Sequence, residues 1–359
     1  MPFKPVRIMV FRLGSIGDFV VSLPCFHLLR RTFPGAEIIL LTNLPATDQI
    51  VPAEAVLRGT GLVDRYIRYP GGTRDIRHLR ALRREIRSLA LDALIYLAEP
   101  RGAVSLYRDY LFFRLCGVRR ILGLDPLGIQ VKPLWPIAGS AMQEAEGQRL
   151  GRQLYSIGSI DFHAESYWNL QLSSTETEEA ARIVEEAFPP PPRRWERRLL
   201  GLSIGTKQTI NDWGDANWQS VVEALGGFEF GLIMVGGPED RARSQALADR
   251  WPGPALNVCG SVSPRVTAAV LQHVRLFLCH DSGPMHLAAA VGTPCVAVFS
   301  RRNPPGKWFP FGVGHTVLYP TAKSGSIASI RPRQVVAAVV DALGARENVR
   351  LSSNLSLAG

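Results

Sequence analysis

An apolar run over residues 6–12 ends in the turn Gly14-Ser15-Ile16-Gly17-Asp18, a helically spaced segment follows over residues 19–33, and a second apolar run fills residues 37–42. Strand, glycine turn, helix and strand within about forty residues make a βαβ unit, whose two strands lie parallel in one sheet. The same succession returns in the second half. Residues 199–204 run into Gly205, residues 230–235 into Gly236-Gly237-Pro238, and residues 276–279 into a turn that opens a helix at Pro284. The expected fold class is therefore α/β, with two Rossmann-like doubly wound domains.

At 359 residues the chain is too long for one compact α/β core and comfortable for two. Its character changes over residues 171–198, where a Glu- and Ala-rich helix is followed by prolines 189–192 and a basic run. The expected domains are residues 1–170 and 171–345, with a mobile tail over 346–359. Between the first strands and that boundary, residues 75–89 form a helix with the apolar stripe Ile76, Leu79, Leu82, Ile86 and Leu89 among crowded arginines.

Composition narrows the class. No apolar run reaches the roughly 18–20 residues of a membrane span, and the N-terminus has no signal-peptide pattern, so a cytoplasmic protein is expected. The five cysteines are scattered without a C-x-x-C pair, which argues against disulfides and a zinc site. The formal net charge of +10 calls for an anionic partner. No nucleic-acid-binding module accompanies that charge, leaving a phosphorylated substrate or a membrane surface.

Four segments carry chemistry. In Asp281-Ser282-Gly283-Pro284-Met285-His286 a strand ends and a helix starts with proline in its first turn. Free N–H groups and the positive end of the helix dipole there form an anion site suited to a diphosphate. The bland reading is an ordinary capped helix with a structural histidine. In Gly205-Thr206-Lys207 another strand enters a glycine turn, and Lys207 can neutralise the same phosphate if both loops open on one sheet edge. Taken alone, Lys207 reads as a solvated surface lysine. Around Arg12-Leu13-Gly14-Ser15-Ile16-Gly17-Asp18, the glycines let the backbone turn close to a ligand. Asp18 there is either a general base for an acceptor hydroxyl or a helix cap. Glu239, after a third strand, can accept from a ribose diol or merely sit in the first turn of a helix. Neither a G-x-G-x-x-G fingerprint nor a Walker loop is present.

Together these segments resemble glycosyltransferase family 9, the ADP-heptose:lipopolysaccharide heptosyltransferases and their relatives. The resemblance lies in the block from Arg12 to Asp18 with Leu23-Pro24, Arg30-Arg31 and Phe33-Pro34. It continues in Gly205-Thr206-Lys207 with Asp212-Trp213 and Asn217-Trp218, in the block from Asp281 to Pro294, and in Trp308-Phe309-Pro310-Phe311-Gly312. It implies a GT-B fold, two Rossmann-like domains facing across a cleft, with acceptor on the first and nucleotide sugar on the second. It further implies inverting transfer with Asp18 as base, and Lys207 with the helix at Ser282 and His286 stabilising the departing diphosphate. No metal is then needed, since lysine and helix dipole supply the positive charge. The implied partners are an ADP-linked sugar donor and an anionic glycan or glycolipid acceptor, met by a peripheral enzyme at the cytoplasmic face of the inner membrane. A nucleotide-sugar epimerase or hydrolase of the same fold, or a non-catalytic binding module, are the competing readings.

Overall fold

The computed structural model describes residues 3–44, 51–73, 75–99, 102–124, 132, 134, 142–189, 198–320 and 325–355. The chain forms two compact units, Met1–Gln171 and Leu172–Gly359.

The first unit is built on β1 (Arg7–Phe11), β2 (Glu37–Asn43), β3 (Arg65–Tyr69), β4 (Ala93–Tyr96) and β5 (Ile121–Leu122), in the order β3-β2-β1-β4-β5. All pairs described are parallel, with Met9 facing Ile39 on one side and Leu94 on the other. β1 and β4 are buried almost throughout, as strands covered on both faces must be. One face of the sheet packs Met9, Phe11, Ile39, Leu41 and Tyr96 against Leu82, Ile86, Leu106 and Phe113 from the covering helices. Of the stripe expected over residues 75–89, Leu82 and Ile86 of the helix Ile76–Ser88 and Leu89 after it supply this contact, whereas Ile76 is exposed. The helical segment after β1 is two helices, Ile16–Val20 and Leu23–Thr32, separated at Val21 and Ser22. Pro24 thus marks a helix start, where its missing N–H costs nothing.

The second unit contains β6 (Leu199–Ser203), β7 (Gly231–Met234), β8 (Ala255–Asn257), β9 (Leu276–His280), β10 (Cys295–Val298) and β11 (Thr316–Leu318). Their order β11-β10-β9-β6-β7-β8 is the doubly wound Rossmann order, again all parallel. A Cβ at Gly201 would stand 2.7 Å from the Phe277 ring, so glycine lets this large side chain lie over the centre of the sheet. Trp213, Trp218 and Trp251 fill the core beside β6 and β7, and the first two meet edge to face at 4.9 Å.

Several elements differ from the expectation. The edge strands β3, β5, β8 and β11 were not expected. The helix expected from residue 239 begins with a 3-10 turn, Pro238–Asp240, and continues as Arg241–Ala248. The last helix spans Pro332–Leu355, past residue 343 where its apolar pattern stops. Residues 356–359 of the tail, and residues 190–197 of the proline and basic runs, lie outside the described residues.

Candidate functional site

In each sheet the strand order reverses once, between β1 and β4 in the first unit and between β6 and β9 in the second. The crevice beyond the carboxyl ends of such strands is where doubly wound domains hold ligands. Every candidate segment leaves one of these strands or the neighbouring β7.

In the first unit β1 runs directly into Arg12, whose guanidinium is fully buried. Its Nη1 donates to the Leu97 carbonyl at 2.8 Å, tying the loop after β4 to the loop after β1. Nη2 donates to the Asp18 carbonyl at 3.2 Å and faces Asp18 Oδ1 at 3.4 Å. Gly14 lies at φ +143°, which a side chain rarely tolerates, and a Cβ there would stand 2.2 Å from Asp18 Cγ. Its N–H donates to Asn43 Oδ1 at 2.8 Å, so the turn is pinned to the end of β2. Ser15 precedes the helix Ile16–Val20, which contains Gly17, and its N–H donates to Asp18 Oδ2 at 2.9 Å. The helix-cap reading of Asp18 is thus met by one oxygen, while a quarter of the side chain stays exposed. Burial pushes its carboxyl above the ordinary aspartate value, and Glu99 and Glu146 add to this, against Arg12 and the Ser15 N–H. A carboxylate so placed accepts a proton more readily than a free aspartate.

Beneath Arg12 lies a buried group that no local pattern signalled. Glu146 is fully buried and accepts from Arg149 at 2.6 and 2.8 Å and from Arg12 Nη1 at 3.3 Å. Two guanidiniums thus share one carboxylate, and Arg149 also donates to Gln153 and to the Ala98 carbonyl.

In the second unit the register Ser203↔Cys279 places the ends of β6 and β9 side by side. Gly205 and Thr206 leave β6, Lys207 is exposed, and the Thr206 hydroxyl accepts from the Gln208 N–H at 3.3 Å. From β9, Asp281 leads through Ser282, the extended cap residue, into the helix Gly283–Ala290 with Pro284 in its first turn. Met285 and His286 are buried. The Nδ1 of His286 has no hydrogen-bond partner among the described residues, and burial lowers its pKa to about 4. It is thus neutral near pH 7, and its ring meets Trp308 edge-on at 6.0 Å. His280, ending β9, is also pushed down to about 4 by burial, and its Nε2 accepts from the Trp213 N–H at 3.1 Å.

A further loop joins these two. The Ser300 hydroxyl bonds Asn211 of the lysine loop, and Asn303 Nδ2 donates to Asp281 Oδ2 at 3.1 Å. Glu239 is exposed and folds back over Gly237, where a Cβ would stand 2.4 Å from its Oε2. It is the next residue, Asp240, that reaches the ends of β6 and β7. Its Oδ2 accepts from the Gly237 N–H at 2.9 Å, and a Cβ would stand 2.1 Å from it at Gly205 and 2.7 Å at Gly236. Burial raises the Asp240 pKa. Sequence reasoning missed Asp240 and Asn303; the one available signal for Asp240 was a second acid directly after the glycine turn. Among the described residues no group of three His, Cys, Asp or Glu side chains is placed to hold a metal ion, and no helix is long and apolar enough to cross a membrane.

Comparison with known proteins bears on the family and the fold. The model of glycosyltransferase family 9 (heptosyltransferase) matches residues 149–325. Lipopolysaccharide heptosyltransferase 3 of Escherichia coli is 28% identical over 130 residues, 33% of this chain and 38% of that protein. A protein of the same name from Escherichia coli strain K12 is 22% identical over 309 residues, 80% of each chain. The crystal structure of the glycosyl transferase family 9 from Veillonella parvula DSM 2008 superposes with a TM-score of 0.72 at 19% identity, over 96% of this chain and 98% of that one. That likeness gives the fold, two Rossmann-like units of the GT-B kind.

Proposed function

We propose that this chain, a glycosyltransferase of family 9, transfers a heptose from ADP-heptose to a lipopolysaccharide-type acceptor with inversion at the anomeric carbon. The observation that carries the reading is the placement of the Asp18 turn at one switch point and of the Lys207 and Asp281–His286 loops at the other. Both places lie beyond the carboxyl ends of strands at a reversal of strand order, where doubly wound domains bind ligands, and this supports the reading.

The acceptor hydroxyl gives its proton to Asp18 as its oxygen attacks the anomeric carbon. The bond from that carbon to the phosphate oxygen breaks, and ADP leaves. Lys207 and the free N–H groups at the start of the helix Gly283–Ala290 meet the charge that develops on the diphosphate. Pro284 contributes no N–H, and a neutral His286 contributes no charge, so the cation's part falls to Lys207 and the helix dipole. Gly205 and Thr206 shape the lysine loop, Asp281 and Ser282 open the helix, and Glu239 receives the ribose hydroxyls. No metal takes part, so turnover persists in EDTA. The acceptor is an anionic glycan or glycolipid, met at the cytoplasmic face of the inner membrane.

The test is Asp18→Asn. Asparagine can still accept from the Ser15 N–H, so the turn is kept while the base is lost. Turnover falls at least about a hundredfold, the lower range for general-base catalysis, while ADP still raises the melting temperature. Near-normal turnover overturns the assignment of the base.

A further inference from the structure

The helix Ala103–Leu115 is apolar on both faces. Leu106 and Phe113 point into the core beside β4. On the outward side Val104, Tyr107, Leu111 and Leu115 recur at helical spacing and are 86, 58, 47 and 51% exposed. A solvated surface helix normally shows water a polar face. A contiguous apolar stripe rimmed by charge marks an interaction surface.

The rim is cationic. Arg83 of the neighbouring helix Ile76–Ser88 donates to the Leu115 carbonyl at 2.9 Å, which sets the two helices side by side. That helix exposes Arg77, Arg80, Arg83, Arg84 and Arg87 against the single acid Glu85. Among the described residues none of these arginines is in an ion pair with a carboxylate. Its first residue, Ile76, is 58% exposed and adds to the apolar surface. On the stripe's own helix, Asp109 is turned inward to the Tyr96 hydroxyl and is engaged by Arg108, so no free carboxylate opposes the arginines there.

We propose that this two-helix face docks on an anionic lipid bilayer, with Val104, Tyr107, Leu111 and Leu115 entering the headgroup boundary and the arginines lying on the phosphates. Apolar side chains flanked by arginine are the make-up of helices that lie in the plane of a membrane interface. The charge selects this occupant, since an uncharged apolar partner would leave the arginine row unused. The position of the helix gives the docking a purpose. It follows β4 in the chain, and the Leu97 carbonyl just after that strand is held by Arg12. A bilayer on this face brings a lipid-anchored acceptor to the unit that carries the Asp18 turn. This purpose rests on the proposed glycolipid acceptor, whereas the docking itself does not.

The test is co-sedimentation of the full chain, without donor or acceptor, with vesicles of phosphatidylglycerol and phosphatidylethanolamine or of phosphatidylcholine alone. The chain pellets with the anionic vesicles and stays in solution with the neutral ones. Arg80→Glu with Arg84→Glu weakens partitioning by about fivefold or more for each arginine lost. Leu111→Glu with Tyr107→Glu weakens it at least tenfold, on the order expected when large apolar side chains no longer leave water. These positions are exposed, so melting curves stay those of the parent. A second readout is independent of any loss of fold. All five native cysteines are buried, so Leu111→Cys takes a polarity-sensitive dye at one place, whose emission shifts to the blue on anionic vesicles. Absence of vesicle binding, binding unaffected by the apolar substitutions, or a dye that stays in water overturns the proposal. Concentration-dependent dimers abolished by Leu111→Glu in sedimentation velocity overturn it in favour of a second copy on this face. Vesicle binding by a chain that transfers no sugar would sink the proposed reaction and leave the docking standing.

Discussion

Replacing Glu146 by glutamine tests whether the buried charges under the Asp18 turn are a working unit. Glu146 is the shared acceptor of two guanidiniums, with Arg149 at 2.6 and 2.8 Å and Arg12 at 3.3 Å, and neither it nor Arg12 is reached by solvent. Glutamine keeps the shape but places an NH₂ where one of those oxygens accepts, donor against donor, and leaves the two cations short of one negative charge. Breaking a buried ion pair from one side costs about 3–5 kcal/mol, because the remaining charge is stranded. In a unit the size of Met1–Gln171 this lowers the melting temperature on the order of 10 °C. Scanning calorimetry reads it. The same substitution has a signed effect on catalysis. Glu146 helps hold the Asp18 carboxyl above its ordinary value, and Arg12 pulls it down. Removing the negative charge lowers the Asp18 pKa, so the acid limb of the kcat/KM profile moves to lower pH. A melting temperature within 2 °C of the parent together with an unmoved acid limb would refute the reasoning.

Two further outcomes follow from the second unit. Gly205→Ala puts a Cβ 2.1 Å from an Asp240 oxygen already fixed by the Gly237 N–H, so the loops after β6 and β7 must separate; ADP titration should show at least tenfold weaker binding, and unchanged affinity counts against a nucleotide at this switch point. His280 accepts from Trp213 only as the neutral ring and has its pKa lowered to about 4 from 6.5. A lowered histidine pKa means the unfolded chain binds the proton first, so its contribution is complete above pH 6.5 and is lost as pH falls from there toward 4. Urea midpoints across that window decline less steeply for His280→Gln, and parallel curves would contradict this.

The central strands were legible because each is a continuous apolar run stopped by a glycine or proline, as β1, β6 and β9 show. The edge strands were not. β8 and β11 are three residues long and half-exposed, and β3 alternates Arg65, Tyr66, Ile67, Arg68 and Tyr69, so their strand character comes from pairing with a neighbour that no local pattern announces. The spacing over residues 19–33 reads as one helix, and only the fold shows that Pro24 stands in the first turn of a second. In the candidate site, the segments around Asp18, Lys207 and Asp281 were visible as strand-to-helix turns. The environment of Asp18 was hidden, because Glu146 lies 134 positions along the chain from Arg12. Asp240 was masked by its neighbour Glu239, since a 3-10 turn in place of a helix start changes which acid faces the glycines.

The most direct test of the central claim is to incubate the purified chain with ADP-heptose and a heptose-deficient lipopolysaccharide core, and to follow ADP release together with the anomeric configuration of the product by NMR. ADP release then depends on the acceptor, the product has inverted configuration, and both are lost in Asp18→Asn. Retained configuration, or ADP release that ignores the acceptor, would contradict that claim.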